Sequence, residues 1–315
     1  MIDIFIMEIL FRCSSEEHKL TQKEIMQHLL DDYEMEVSRN TLSQYLAELR
    51  RNGYVKGIRG VCCKRIFSSS EIAILVNSVM AVKTIPSADI QRLVEKLKNV
   101  AEPQKRNEFC HSYFLSDVNH TDNKNVGKIM GKISQAIEHR KKIEITGCLY
   151  DINGILQEGK TYIVDPYYIV AEKSRYYLLC YSGREDVEPR RIDRIGKVKI
   201  LEKSRMEICE IERYKNYTFQ IEEYMKEHIY MYSGKSERVT LKIEKSNIGD
   251  FIDWFGKAYR KIEEQDQRIV IQVKANIEAV YFWALQYSRI AEVLSPKSLR
   301  DKIRQGAIEI VDMYE

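Results

Sequence analysis

Five short strands crowd into about seventy residues in the middle of a chain of 315 residues, and few folds accommodate that pattern. They read "KKIEITGCLY", "KTYIVDPYYIV", "RYYLLCYS", "PRRIDRI" and "KVKIL", with turn signals at Asn153-Gly154 and Ser182-Gly183. Strands so short and closely spaced predict a small, strongly bent sheet or a barrel. In "YYLLCY", period-two alternation sends Tyr176, Leu178 and Cys180 to one face and Tyr177, Leu179 and Tyr181 to the other. Both sets are apolar enough to be covered, so this strand is expected to be central.

The run "PRRIDRI" is different, because Arg190, Arg191 and Arg194 flank a single isoleucine. Burying that much positive charge costs several kcal/mol unless acids or an anion offset it. Asp193, Glu185, Asp186 and Glu188 are close in sequence, so two readings stand: an exposed edge strand with local ion pairs, or a site for an anion. Strict alternation puts Arg191 and Arg194 on opposite faces. They share a pocket only if the strand bends or ends near Asp193.

The first seventy residues carry a separate pattern. Ile2, Ile6, Ile9, Leu10 and Cys13 have helical spacing, and "TQKE" at 21–24 is a capping box opening a second helix. A third helix follows Ser38, keeps Leu42, Leu46 and Leu49 on one face and stops at Gly53. Its other face shows Arg39, Asn40, Ser43 and Gln44, short donors and acceptors near the helix end that enters a major groove. "YVKGIRGVCCKRIF" then reads as two short strands around a glycine turn, from which Lys56, Arg59, Lys64 and Arg65 could reach phosphates. Net charge is only +3, but residues 1–35 hold eight acids against three bases and residues 36–65 seven bases against two acids. That local field is what a polyanion would feel. The bland alternative is a three-helix bundle with a solvated polar face.

"SSSEIAILVNSVMAVKTI" and "PSADIQRLVEKLKNVAEP" read as two more helices, serving as linker and dimer contact or packing within the chain. The last hundred residues give strand, helix, hairpin, helix, strand and a final helix opened by Pro296, a ferredoxin-like β-α-β-β-α-β order. Trp254 and Trp283 there are expected in the core.

"KLTQKEIMQHL…VSRNTLSQYLAELRRNGYVKGIRG" resembles the winged helix-turn-helix that opens bacterial transcription regulators of the WYL-domain family. The resemblance implies Arg39, Asn40, Ser43 and Gln44 as readers of bases or backbone, with a wing at 55–65. "VDPYYIV…SRYYLLCY…RRIDRI" is similar to the WYL domain itself, with Pro166, Tyr167, Tyr176, Tyr177, Leu178, Arg191, Asp193, Arg194 and Ile195 at its pattern positions. Tyr176 stands where that family has its eponymous tryptophan. An Sm-like barrel that senses nucleic acids or nucleotide-like molecules is what this implies, with Tyr167, Tyr177, Arg191 and Arg194 as effector contacts. "WFGKAYRKI…YFWALQYSRIAEVLSPKSLRDKI" resembles the extension that follows the WYL domain.

The fold class expected is therefore α+β and multidomain: a winged helix-turn-helix at 1–68, linker helices at 69–125, a WYL barrel at 126–204 and a ferredoxin-like extension at 205–315. The function expected is a DNA-binding transcription regulator with a double-stranded operator, an anionic effector and a homodimeric state. The alternative is an accessory single-strand-binding protein without operator specificity.

No enzyme is expected. "GKIS" at 131 and "GKSE" at 234 lack the partner glycine of a phosphate loop, and GxSxG and HExxH are absent. No cofactor or metal is expected either, since Cys110, His111, Asp117 and His120 fit no zinc spacing. Seven cysteines without a CxxC pair fit reduced thiols. The acidic N-terminus "MIDIFIMEILF" and the short apolar runs point to the cytoplasm, away from membranes.

Overall fold

The computed structural model describes residues 2–102, 105, 120–216 and 218–315. The chain divides into two compact units, Met1–Asp122 and Asn123–Glu315. It is a mixed α and β protein, with ten α-helices and antiparallel sheets of two, four and five strands among the described residues. No helix among them is long and apolar enough to cross a membrane. Six cysteines among the described residues are free thiols. Cys110, His111 and Asp117 lie outside the described residues.

In the first unit, α1 (Ile2–Cys13), α2 (Gln22–Tyr33) and α3 (Arg39–Arg51) close on Ile6, Ile9, Leu10, Ile25, Leu29, Leu42 and Leu46. Thr21 and Glu24 form the capping box, and the Ser38 hydroxyl accepts from the Thr41 amide, so orphan donors at both helix starts are satisfied. A hairpin follows, β1 (Val55–Lys56) paired with β2 (Cys62–Cys63), and Leu20 bridges Val61 to bind it to the helices. Its turn demands glycine at 57, where φ is +92° and a Cβ would lie 1.9 Å from the Gly60 carbonyl oxygen. Next, α4 (Ser69–Met80) and α5 (Ser87–Val100) pack on each other through Ile72, Val76, Ile90 and Val94.

The second unit begins with α6 (Val126–Glu138), whose Val126, Ile129, Ile133 and Ala136 are buried against a five-stranded sheet. Its strands are β3 (Lys141–Tyr150), β4 (Leu156–Glu172), β5 (Arg175–Tyr181), β6 (Glu188–Arg191) and β7 (Ile195–Ser204), ordered β6-β5-β4-β3-β7. Both of β3's ladders shift register near Gly147, and Gly159 comes close enough that its Cβ would meet the Gly147 oxygen at 3.3 Å. Such bulges bend a sheet. No ladder joins the outer strands β6 and β7 among the described residues, so the expected barrel is an open bent sheet. The four-residue β6 gives way to a 3-10 turn before a closing ladder forms.

As the alternation predicts, β5 is interior and two-faced. Leu178, Cys180 and Tyr176 join the α6 side. Leu179, Tyr177 and Tyr181 join a second core made with Ile211, Tyr214, Tyr224 and Met231. That second core comes from the stretch after β7, which holds two 3-10 turns and α7 (Ile221–Glu227).

Beyond it come β8 (Ser236–Glu244), α8 (Ile248–Phe255), β9 (Arg260–Glu264), β10 (Arg268–Asn276), α9 (Ile277–Gln286), β11 (Ala291–Ser295) and α10 (Lys297–Asp312). The sheet order is β11-β8-β10-β9, antiparallel throughout. Trp283 is fully buried here with Phe251 and Phe255. Trp254 is half-buried at the edge, where Lys173 from the β4–β5 turn lies 4.4 Å over its ring.

Candidate nucleic-acid surface and anion cleft

On α3, Arg39, Asn40 and Gln44 are exposed and Ser43 is half-buried. Gln22, in the first turn of α2, joins two of them: its amide donates to the Ser43 hydroxyl at 3.1 Å, and its oxygen accepts from Arg39 Nε at 3.3 Å. The start of α3 thus presents a polar surface whose rotamers are partly set by α2, through a residue that the spacing of α3 alone does not reveal. At the hairpin, Arg59 is exposed at the tip and Lys64 is exposed beyond β2. Lys56 pairs with Glu16 at 2.5 Å. Arg50 Nε donates to the Gly57 carbonyl at 2.9 Å, bracing the turn against α3.

Arg65 corrects the reading of the wing. Its guanidinium donates to the carbonyls of Phe11, Ser14 and Val100 and lies 4.4 Å over the Phe11 ring. Those contacts tie the end of the hairpin to α1 and α5. They leave the group committed to backbone acceptors rather than offered to phosphate.

The second surface is a cleft of about 720 Å³ in the other unit. β6 ends at Arg191, and Ile192–Arg194 form one 3-10 turn, with Ile192 and Asp193 buried. The turn breaks the period-two alternation, and Arg190, Arg191 and Arg194 all line the same cleft with Tyr177. The bend at Asp193 is what brings Arg191 and Arg194 together.

Their charges are not equally committed. Arg191 clasps Asp193 through Nε at 3.1 Å and a terminal nitrogen at 2.6 Å, and Arg175 reaches the same carboxylate at 3.3 Å. Burial, then the neighbouring Arg191, lowers the pKa of Arg175. Arg190 pairs with the buried Glu188 at 2.7 Å and lies 4.5 Å over the Tyr162 ring. Arg194 lies 4.2 Å over the Tyr150 ring, and no carboxylate among the described residues pairs with it. One carboxylate therefore faces two guanidinium groups at Asp193, with a third, Arg194, left to cationic contact with a ring. Such an array can take a phosphate on Arg194 and a flat base against tyrosine. Lys160, Tyr230, Met231 and Tyr232 also line the cleft, and Tyr232 stacks on Phe282 with centroids 5.4 Å apart.

Tyr167 does not line this cleft. The β4–β5 register shifts between Pro166 and Tyr168, so Tyr167 sits at a bulge and turns into the second core. It is 2% exposed, and its hydroxyl donates to the Met206 carbonyl at 3.0 Å. A one-residue bulge moves a side chain to the other face, and period-two reading has no means of placing it. Tyr150, Lys160, Tyr162 and the Tyr230–Tyr232 stretch were equally hidden, because only the folded sheet brings them beside Arg194.

Residues 128–200 match the WYL domain model and residues 235–311 the WCX domain model. The chain therefore carries a WYL domain followed by a WCX domain. Among solved structures it is similar to proteasome accessory factor B/C (PafBC) of Arthrobacter aurescens, with 15% identity over 96% of this chain and 47% of that one, at a TM-score of 0.30. The chain spans about half the length of that protein. It is also similar to a CRISPR Cas-related protein, with 12% identity over 99% of this chain and 85% of that one, at a TM-score of 0.39. Neither superposes closely enough to say more. No curated protein matches the sequence.

Proposed function

We propose that the protein is a DNA-binding transcription regulator whose WYL domain senses a single-stranded nucleic acid or nucleotide-like anion. The observation that carries this reading is Arg194: a guanidinium without a carboxylate partner among the described residues, in a cleft that also holds Arg190, Arg191 and tyrosine rings. Phosphate supplies the missing negative charge and a base supplies the flat face, the two demands such a cleft makes. In the other unit, Arg39, Asn40, Ser43 and Gln44 on α3 with Arg59 and Lys64 at the hairpin support a winged helix-turn-helix reading of operator DNA. The bent five-stranded sheet supports an Sm-like ancestry for the sensor, and the β11-β8-β10-β9 order a ferredoxin-like WCX domain. A homodimer would match a palindromic operator.

Binding rather than catalysis is what the cleft supports. Its Cys148 thiol and Tyr177 hydroxyl are both pushed up in pKa by burial, away from what a nucleophile or base needs. The test is a duplex selected in vitro from a randomised pool. Arg39→Ala with Gln44→Ala is expected to abolish its sequence-specific binding in an anisotropy titration. Unchanged specific binding would remove the operator reading. Single-strand binding with no duplex selected at all would favour the accessory single-strand binder.

A further inference from the structure

The hairpin after α3 carries Ile58 and Arg59 at its tip, between Gly57 and Gly60. Ile58 is 79% exposed, and Arg59 is exposed without a hydrogen bond or ion pair among the described residues. Local structure gives no reason for an isoleucine there, since β-branched residues favour strands and turns favour glycine, proline, asparagine, aspartate and serine. Packing gives none either. The buried cluster that takes in Val55 and Val61, on either side of the turn, does not include Ile58.

The turn beneath the tip is held from three directions. Arg50 Nε donates to the Gly57 carbonyl at 2.9 Å. Leu20 and Val61 exchange backbone hydrogen bonds of 2.9 and 2.8 Å. Gly60 stands so close to Lys19 that a Cβ on it would lie 2.8 Å from the Lys19 Cβ. A tip braced in this way gives up little conformational freedom on meeting a partner, and what it offers is an apolar side chain beside an uncommitted cation. One isoleucine is too little apolar surface to hold a lipid interface. A duplex suits it better, because arginine is drawn into the minor groove and apolar side chains enter that groove as wedges between base steps.

Resting on the operator reading of the first unit, we propose that this tip enters the minor groove beside the site read by α3, with Arg59 in the groove and Ile58 wedged into one base step, which it partly unstacks. Arg50, which braces the turn, stands about 16 Å along the helix from Arg39. With the first turn of α3 in the major groove, the hairpin is carried past the phosphates to the flanking minor groove, about 6 Å wide, which admits a turn and excludes a second helix. The wedge makes the flanking step a determinant of specificity without a hydrogen bond to any base, because a flexible pyrimidine–purine step opens at less cost than a stiff one.

The selected duplex, with 2-aminopurine placed in turn at each flanking position, tests this, since that base fluoresces more strongly when unstacked. Saturating wild type is expected to raise the signal about twofold or more at one flanking position. Ile58→Ser is expected to leave it flat, to bind the duplex about tenfold more weakly and to melt as wild type does. Ile58→Leu is expected to keep both the signal and the affinity. Replacing the flanking step by a stiff one is expected to weaken wild type and leave Ile58→Ser unchanged, a dependence that a merely structural role for an exposed side chain does not produce. Arg59→Ala is expected to weaken binding across sequences and to reduce the salt slope by about one. Specific binding with no rise at any flanking position, or an Ile58→Ser protein that unstacks and binds as wild type does, overturns the wedge and leaves the operator reading standing. Specific binding that survives Arg39→Ala with Gln44→Ala overturns both.

Discussion

Arg191 and Arg194 are three residues apart and share one cleft, yet their charges are committed differently. Arg191 serves the protein, clasping an Asp193 that is 2% exposed. Arg191→Ala leaves that carboxylate to Arg175 alone and is expected to lower stability by about 1–3 kcal/mol in urea unfolding, as for a buried acceptor that loses a donor. Arg194 gives up only a ring contact. Arg194→Ala is therefore expected to change stability by less than about 0.5 kcal/mol, while affinity for a labelled single-stranded oligonucleotide falls at least tenfold. Equal loss of oligonucleotide affinity in the two variants without a stability difference would contradict this division. Arg65 teaches the same lesson from the other unit. Nothing in a string of basic residues separates an arginine that meets phosphate from one that satisfies three carbonyls, and only the fold around Phe11, Ser14 and Val100 decided it.

At the scale of elements, periodic stretches were legible and aperiodic ones were not. The two faces of "YYLLCY" followed from alternation alone, because each face of β5 meets its own core. Tyr167 and the Ile192–Arg194 turn broke the period, one through a bulge and the other through a 3-10 turn, and both lie where the sheet bends. The stretch after β7 carried no readable period, since its core contribution comes from short turns and single tyrosines such as Tyr214 and Tyr224. The hairpin after α3 was legible from its glycines, and those glycines differ in strictness. Gly53 has φ +78° with open space where a Cβ would stand, whereas Gly57 adds a clash with the Gly60 carbonyl to its positive φ. Gly53→Ala is expected to cost about 1 kcal/mol. Gly57→Ala is expected to cost about 1–3 kcal/mol and, by opening the turn that carries Arg59, to weaken duplex binding as well. Thermal melts and anisotropy titrations of the two variants compare them directly. Equal behaviour would mean that the turn is not held as tightly as its geometry implies.

Across the whole molecule, the two proposed surfaces fall in separate units, the one proposed for a duplex in the first and the one proposed for an anion with flat bases in the second. The matched WYL and WCX domains occupy the second unit. For an effector to regulate, it has to favour one conformation of the chain over another by its differential affinity. The decisive measurement is the affinity of the full chain for the selected duplex, with and without a saturating short single-stranded oligonucleotide. Wild type is expected to change its duplex affinity by about fivefold or more, and Arg194→Ala to show no change. A wild-type affinity that does not move while the oligonucleotide occupies the cleft, or an Arg194→Ala protein that responds as wild type does, would contradict a regulator that senses through Arg194.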